Sequence, residues 1–327
     1  MKVHSYAFSI LAMLCLSLTL FSCDDDDNMV DDPTIVEFAQ DNDNFSILVD
    51  AVTAAGLVDA LNDRSATLTL FAPTNAAFTA FLDDNGFSSL NDVPVDLLRT
   101  VLLYHVLPTT ETSDKLESNY YNTLAEFDAN EPLSLYVSTS GGVKINADVD
   151  VTAADEAVAN GVIHTVNAVI MPANVVTFAV ANPNFSNLVA ALTRTDLTTN
   201  FVDILSGDGP FTVFAPTNAA FEALLASNNE WNSLDDIPVE TLETVLSYHV
   251  VAGANVRAGD IVDDAPVTSF EGSTFSIDLD GDTPTINAGS NTANIVATDV
   301  QGTNGVVTTW NEAAPCNITL SRQAQSA

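Results

Sequence analysis

The sequence predicts an α+β fold built twice in tandem. Three observations lead to it. The octapeptide Phe-Ala-Pro-Thr-Asn-Ala-Ala-Phe occurs at residues 71–78 and again at 214–221. Further matched blocks surround both copies at nearly constant offsets. Each copy also passes from helical periodicity in its first half to strand-like runs in its second.

The matched blocks set the extent of the repeat. Val93-Pro94-Val95 answers Ile237-Pro238-Val239, Tyr104-His105 answers Tyr248-His249, and Asn160-Gly161 answers Asn304-Gly305, all at an offset of 144. Upstream, Asn44-Phe45-Ser46 answers Asn184-Phe185-Ser186 at 140, while Phe71 and Phe214 stand 143 apart. Small changes of offset between matched blocks are loops changing length around a fixed scaffold. A period of about 140 is that of an independent domain, too long for a solenoid repeat. The expected division is a signal segment at 1–22, an acidic spacer at 23–33, a first domain at 34–173, a second at 174–315 and a divergent tail at 316–327. The join near 171–176 is short, so the domains are expected as close neighbours.

Within each copy the elements follow in order. Residues 67–72 and 211–215 are short β-rich apolar runs halted by Pro73 and Pro216. Thr74 or Asn75 can then cap a helix that carries Ala77, Phe78, Phe81 and Leu82 on one face. Pro94 and Pro238 sit where a first helical turn tolerates them, and Leu97, Leu98, Val101 and Leu102 follow at helical spacing, as do Leu242, Val245 and Leu246. These helices run up to the Tyr-His pairs. Strands are expected next at 133–137, 143–147 and 161–170, and in the second copy at 275–279, 285–287 and 294–297.

The first 23 residues read as a processing segment. Lys2 supplies a positive start, residues 7–21 are apolar but short for a membrane span, and Ser22-Cys23 closes the run. A small residue before cysteine resembles a bacterial lipobox, which implies cleavage there and acylation of Cys23 as the new N-terminus. The four aspartates at 24–27 then read as a surface-export signal, as a solvated spacer, or as both. Cys15 departs with the signal and Cys23 would be acylated, which leaves Cys316 as the one remaining thiol and no intrachain disulfide.

Composition excludes several classes of function. The chain has 44 acidic against 8 basic residues, a net charge of −36. A protein that tracks phosphates needs a basic footprint, so nucleic acid is not an expected partner, and membrane contact is expected through the lipid anchor alone. Salt relieves self-repulsion at this charge, which points to a saline habitat or to divalent cations at the surface.

These motifs resemble the fasciclin-like (FAS1) domain. Residues 70–78 and 213–221 are similar to its first motif, Tyr104-His105 and Tyr248-His249 to its Tyr-His motif, and residues 160–166 to its Asn-Gly motif, which ends near Met171-Pro172. The resemblance covers residues 34–315. It implies two compact α+β units, each a β-wedge or sandwich with flanking helices, and a role in extracellular adhesion or matrix interaction without a cofactor. Integrin contact in animal members is attributed to the Tyr-His region and to a short Asp-containing segment before the Asn-Gly turn. By position this carries over to Tyr104, His105 and Asp155 and to Tyr248, His249 and Asp299, the candidate binding residues. The second copy departs from the pattern: Thr308 stands where the first has His164, and residues 311–327 lose the apolar alternation. A frame error in the gene and a genuinely divergent last strand would both produce this, and the second domain is expected to lack a well-formed closing strand.

Catalytic chemistry finds no starting point in the sequence. Three histidines follow residue 23, split between the domains, with at most one thiol, too few for a zinc site. There is no Gly-x-Ser-x-Gly elbow and no phosphate loop. His105 and His249 are expected as buried helix-end residues with local hydrogen bonds. Asp278-Leu279-Asp280-Gly281-Asp282 reads as a hairpin turn, since the glycine and glutamate places of a calcium loop are not met. The functional expectation is a non-enzymatic, lipid-anchored protein of the cell surface or outer membrane (or a secreted one). Its partners would be matrix, cell-surface protein or polysaccharide. An extracellular hydrolase and a structural envelope component without a specific ligand are the alternatives.

Overall fold

In both copies a strand ends at a proline and a helix begins two residues later, because proline cannot donate to the next rung of a sheet and the following threonine adopts extended cap geometry. The computed structural model describes residues 32–281, 283–288 and 291–312. Cys23, the acidic block, Cys316 and the tail after 312 lie outside the described residues.

The first domain opens with helices α1 (Ile35–Gln40), α2 (Ser46–Ala54) and α3 (Val58–Leu61). Strand β1 (Leu68–Pro73), helix α4 (Asn75–Asp84) and helix α5 (Val95–Tyr104) follow. The β-rich half comprises β2 (Val106–Leu107), β3 (Asn119–Asp128), β4 (Glu131–Ser138), β5 (Lys144–Ile145), β6 (Val149–Val158) and β7 (Gly161–Val166). The second domain repeats this with α6 (Val175–Ala181), α7 (Ser186–Leu192), α8 (Phe201–Ser206), β8 (Phe211–Pro216), α9 (Asn218–Ala226) and α10 (Val239–Tyr248). Its strands continue as β9 (Val250–Ala252), β10 (Val267–Thr268), β11 (Thr274–Asp278), β12 (Thr285–Ala288), β13 (Asn291–Gly302) and β14 (Gly305–Glu312).

The first sheet runs in the order β2-β1-β7-β6-β5-β4-β3 and the second in the order β9-β8-β14-β13-β12-β11-β10, one topology used twice. Each has a parallel pair at its heart, β1 with β7 and β8 with β14, and the remaining pairs are antiparallel. Every residue of β1 is buried. That is why its sequence is apolar at every place but Thr69, as expected for a strand covered on both faces. The fold is α+β in two tandem domains, as the repeat and the switch of periodicity predict.

The closing strand of the second domain departs from expectation. β14 is eight residues long, pairs with β13 and lies parallel to β8 in the register that β7 takes on β1. Thr308 and Thr309 are buried within it, and the Trp310 indole donates to the carbonyl of Phe214 at 3.1 Å. Loss of apolar alternation did not cost the strand, because threonine has high β-propensity and the ladder is set by the backbone.

The Asn-Gly turns tie both halves of each domain together. Asn160 is buried; its Oδ1 accepts the N–H of Ile35 at 2.9 Å and its amide donates to the carbonyls of Leu61 and Asp63 at 2.9 and 3.2 Å. Asn304 does the same with the N–H of Val175 and the carbonyls of Leu205 and Gly207. Gly161 follows at φ 149°, and a Cβ there would lie 1.8 Å from the carbonyl oxygen of Leu68, so no other residue fits.

The described residues fall within one compact unit. One hydrophobic core contains Tyr104, Leu133 and Leu135 of the first domain and Phe178, Val300 and Val307 of the second. Phe178 meets the edge of Tyr120 with ring centroids 5.5 Å apart, and Asn182 donates to the Tyr120 hydroxyl at 3.0 Å. Gln301 is wholly buried, and its N–H donates to Ser134 Oγ at 3.1 Å.

Candidate functional site

The sites marked by position are the Tyr-His pairs at the ends of α5 and α10 and the aspartates of β6 and β13. The octapeptide does not join them. Thr74 caps α4, accepting the N–H of Ala77 at 3.3 Å. Asn75 reaches back to α2, where its Oδ1 accepts the N–H of Ile47 at 2.9 Å. Asn218 repeats that clamp on Asn187 at 2.9 Å. Phe71 and Phe78 are wholly buried. The motif is a corner between strand and helix.

Tyr104 and His105 are also wholly buried. The Tyr104 hydroxyl donates to the Ser134 carbonyl at 2.6 Å and accepts from the Asn146 amide and the Ala173 N–H at 3.1 and 3.2 Å. Burial raises its pKa well above the ordinary tyrosine value. His105 Nδ1 lies 2.7 Å from the Val101 carbonyl, which fixes the proton on Nδ1, and Nε2 accepts the N–H of Ile170 at 2.8 Å. Loss of solvation pulls the imidazole down to about 4, so it is neutral at physiological pH. The pair fastens α5 to the segment that follows β7.

The second copy is looser. Tyr248 is partly exposed and donates to the Thr274 carbonyl at 3.2 Å. His249 Nδ1 meets the Val245 carbonyl at 2.6 Å, and its ring stacks on Trp310 at 5.4 Å and 11°. Desolvation lowers its pKa too. Trp310 stands where the first domain has Val166, which is how the divergent end reaches the Tyr-His site.

The aspartates occupy bulges. Pairing of β6 with β7 slips between Ala153 and Glu156, and pairing of β13 with β14 slips between Ala297 and Val300. Asp155 and Asp299 take left-handed conformations there, at φ 65° and 59°. Aspartate tolerates that region better than most residues, because its short side chain bonds locally. The Asp155 carboxylate accepts from the Ser113 N–H at 2.7 Å and from the Ser113 hydroxyl. Those two bonds hold its pKa below the usual carboxylate range. Its own N–H donates to His164 Nδ1 at 3.2 Å, and His164 Nε2 meets the Glu111 carbonyl at 2.8 Å, so His164 carries its proton on Nε2. Asp299 accepts the Ala258 N–H at 2.8 Å.

Each aspartate therefore holds the loop that follows the Tyr-His strand. A buried threonine of the central strand holds the same loop from below. Thr69 Oγ1 donates to the Thr109 carbonyl at 2.6 Å and accepts the Glu111 N–H at 2.8 Å. Thr212 does so with Ala254 and Val256 at 2.9 and 2.8 Å. A polar residue inside an apolar run, present in both copies, was the legible sign of this clamp. Ser113 gave no such sign, because the second copy has Ala258 in its place.

The two loops face different surroundings. In the second domain, Asn255 donates to Glu131 at 3.4 Å, and Arg257 lies between Glu131 and Asp299 at 3.9 and 3.8 Å, so this loop closes onto the first domain. The described hydrogen bonds of loop 109–114 stay within the first domain, and Asp114 and Lys115 are exposed. Among the described residues no three His, Cys, Asp or Glu side chains converge on a metal position, and no single helix is long and apolar enough to cross a membrane.

Comparison with known proteins fits this geometry. The Fasciclin domain profile matches residues 43–172 and 183–313. Protein sll1483 of Synechocystis sp. is 42% identical over 139 residues, 42% of this chain and 73% of that protein. Transforming growth factor-beta-induced protein ig-h3 of Sus scrofa is 30% identical over 243 residues, 74% of this chain but 33% of the relative, so the match spans a third of that longer protein. Cell surface glycolipoprotein MPB83 of Mycobacterium bovis is 44% identical over 80 residues, 24% of this chain and 34% of that protein. Among solved structures, a FAS1 domain pair from the insect cell adhesion molecule Fasciclin I superposes with a TM-score of 0.54 at 19% identity, covering 84% of this chain and 98% of that one, a likeness of fold. With both repeats matched by one profile and their shared topology reproduced in a known domain pair, the chain belongs to the fasciclin domain family.

Proposed function

We propose that this protein is a non-enzymatic, lipid-anchored surface adhesin whose rigid domain pair binds matrix, cell-surface protein or polysaccharide, with Cys23 as the acylated residue. One observation carries the reading. The polar side chains that recur in both copies, the Tyr-His pair, the Asn of Asn-Gly, the central-strand threonine and the bulge aspartate, are engaged in internal hydrogen bonds. Such residues build a platform and leave recognition to the loops they hold, where binding residues concentrate on rigid scaffolds. Support for a surface role also comes from the relatives, among them a cell surface glycolipoprotein and an insect cell adhesion molecule.

On this reading Asp155 and Asp299 contribute to binding by shaping their loops, and Tyr104, His105, Tyr248 and His249 by fixing the elements beneath. Loop 109–114 is the primary contact surface, since its counterpart turns toward Glu131. The test is a glycan and matrix-protein array probed with the chain from residue 24 onward, beside variants Glu111→Lys and Asp114→Lys. Binding by the parent and its loss in the loop variants is the expected result. Absence of any binding, or equal binding by the loop variants, overturns the proposal. Metabolic labelling with a palmitate analogue, lost in Cys23→Ser, tests the anchor.

A further inference from the structure

The two domains differ in how well their helical layer fills the space above the sheet. In the second domain a cavity of about 120 Å³ lies between α6, α7 and α8 and the strands β8 and β14. The matching place in the first domain, under α1, α2 and α3, holds about 10 Å³. Side chains at matched positions contribute to the difference. At matched positions Val175 replaces Ile35, Val213 replaces Leu70 and Val307 replaces Ile163, each one methylene shorter, while Leu192 in place of Val52 returns one. A well-packed interior does not close over missing methylenes without strain, so the volume remains.

The walls decide what can enter. Apart from Thr193 and His249 the lining side chains are aliphatic or aromatic, and His249 Nδ1 is already committed to the Val245 carbonyl. A buried water needs two to four polar partners, so such a space stays dry. It approaches the ~150 Å³ apolar cavity that takes up benzene or xenon. The rim is apolar as well. Val180 on α6 lines the cavity and is 60% exposed, where the first domain carries the polar Gln40. An exposed valine at the mouth of a dry cavity costs little if an apolar ligand covers it and serves no packing role otherwise.

We propose that the second domain carries an apolar ligand site in its helical layer, which takes one small hydrocarbon group, and that the first domain does not. The group is a benzene-sized ring or the terminal carbons of an alkyl chain entering past Val180. The site is independent of loop 109–114 and of the adhesive reading. It gives the duplicated domains different tasks, one presenting a loop and the other holding an apolar group.

The experiment follows valine and leucine methyl resonances of the chain from residue 24 onward during titration with benzene, and in a second arm with octanoate. Saturable shifts at Val213, Val307 and Leu246, without shifts at Leu70 and Leu102, are expected with benzene. A response to octanoate as well assigns alkyl chains to the site, and a response to benzene alone restricts it to small free hydrocarbons. Val213→Leu and Val307→Ile restore first-domain side chains; with circular dichroism as the check on their fold, each should weaken benzene binding about tenfold, equivalent to ~1.4 kcal/mol. No saturable shift with either probe overturns the proposal, as does undiminished binding by both filled variants.

Discussion

The Asp155 carboxylate accepts the N–H of Ser113 at 2.7 Å across 42 residues of sequence, and the Ser113 hydroxyl bonds to its other oxygen. One left-handed residue in a bulge thereby holds a loop that two strands and a linker would otherwise leave loose. Asp155→Ala should raise hydrogen exchange at Ser113, by the loss of about 1 kcal/mol of local protection for a partly exposed charged bond. The carboxyl pKa is lowered in the fold, so its stabilisation is present above the unfolded value of ~3.9 and is lost as pH falls through the folded one. Protection of Ser113 measured from pH 6 to pH 3 should fall at the acid end in the parent and stay flat in the variant.

His105 is expected to lower stability on mild acidification. Its folded pKa of about 4 lies below the unfolded value of ~6.5, so between these limits the unfolded chain binds the extra proton. The His105 contribution is undiminished above ~6.5, declines toward pH 4 and then levels, with roughly 3 kcal/mol lost over that span at ~1.4 kcal/mol per unit. Urea unfolding across this range measures the slope. An imidazole resonance for His105 that titrates near 6.5 in the native state would contradict the assignment.

Asn160→Ala should cost about 3 kcal/mol, because it strands a buried N–H of Ile35 and two carbonyls rather than removing a surface bond. Asn160→Asp should also destabilise, since the carboxylate keeps the acceptor for Ile35 but cannot donate to Leu61 and Asp63. Chemical denaturation of both variants gives the comparison.

Phe178 packs on Tyr120 across the domain junction and is wholly buried in a core that both domains share. Phe178→Ala is expected to cost ~3–5 kcal/mol. It should also split a single calorimetric transition into two, as the first domain loses the surface that the second supplies. Arg257→Ala should shift the midpoint far less, since its contacts to Glu131 and Asp299 at 3.9 and 3.8 Å are too long for hydrogen bonds and its Nη1 is buried without a hydrogen-bond partner. One undivided transition in Phe178→Ala would show that the coupling lies elsewhere.

Much of the fold was legible because duplication separates scaffold from accident. β1, α4, α5 and their counterparts announce themselves through apolar runs, Pro and helical spacing. β3 and β6 did not. Residues 152–157 of β6 are exposed, and Thr-Ala-Ala-Asp-Glu-Ala has no alternation and only Thr152 as a β-branched residue, so only pairing with β7 makes it a strand. The short helices α1 and α3 were missed for a related reason: six and four residues are too few for periodicity to rise above composition.

Duplication, fold class and the membership of each copy in one family could be read from linear order, because they depend on which residues recur and at what spacing. The use of those residues could not. Tyr104 and His105 became enclosed fasteners, Asp155 a clamp on Ser113, and the matched loop around Arg257 a domain contact, through partners 30 to 126 residues away. The difference between a filled first domain and a hollow second one lies in side chains that meet only when α6, α7, α8 and the sheet close together. Local pattern specifies the elements, while burial, hydrogen-bond satisfaction and leftover volume are sums over neighbours that only the folded chain brings together.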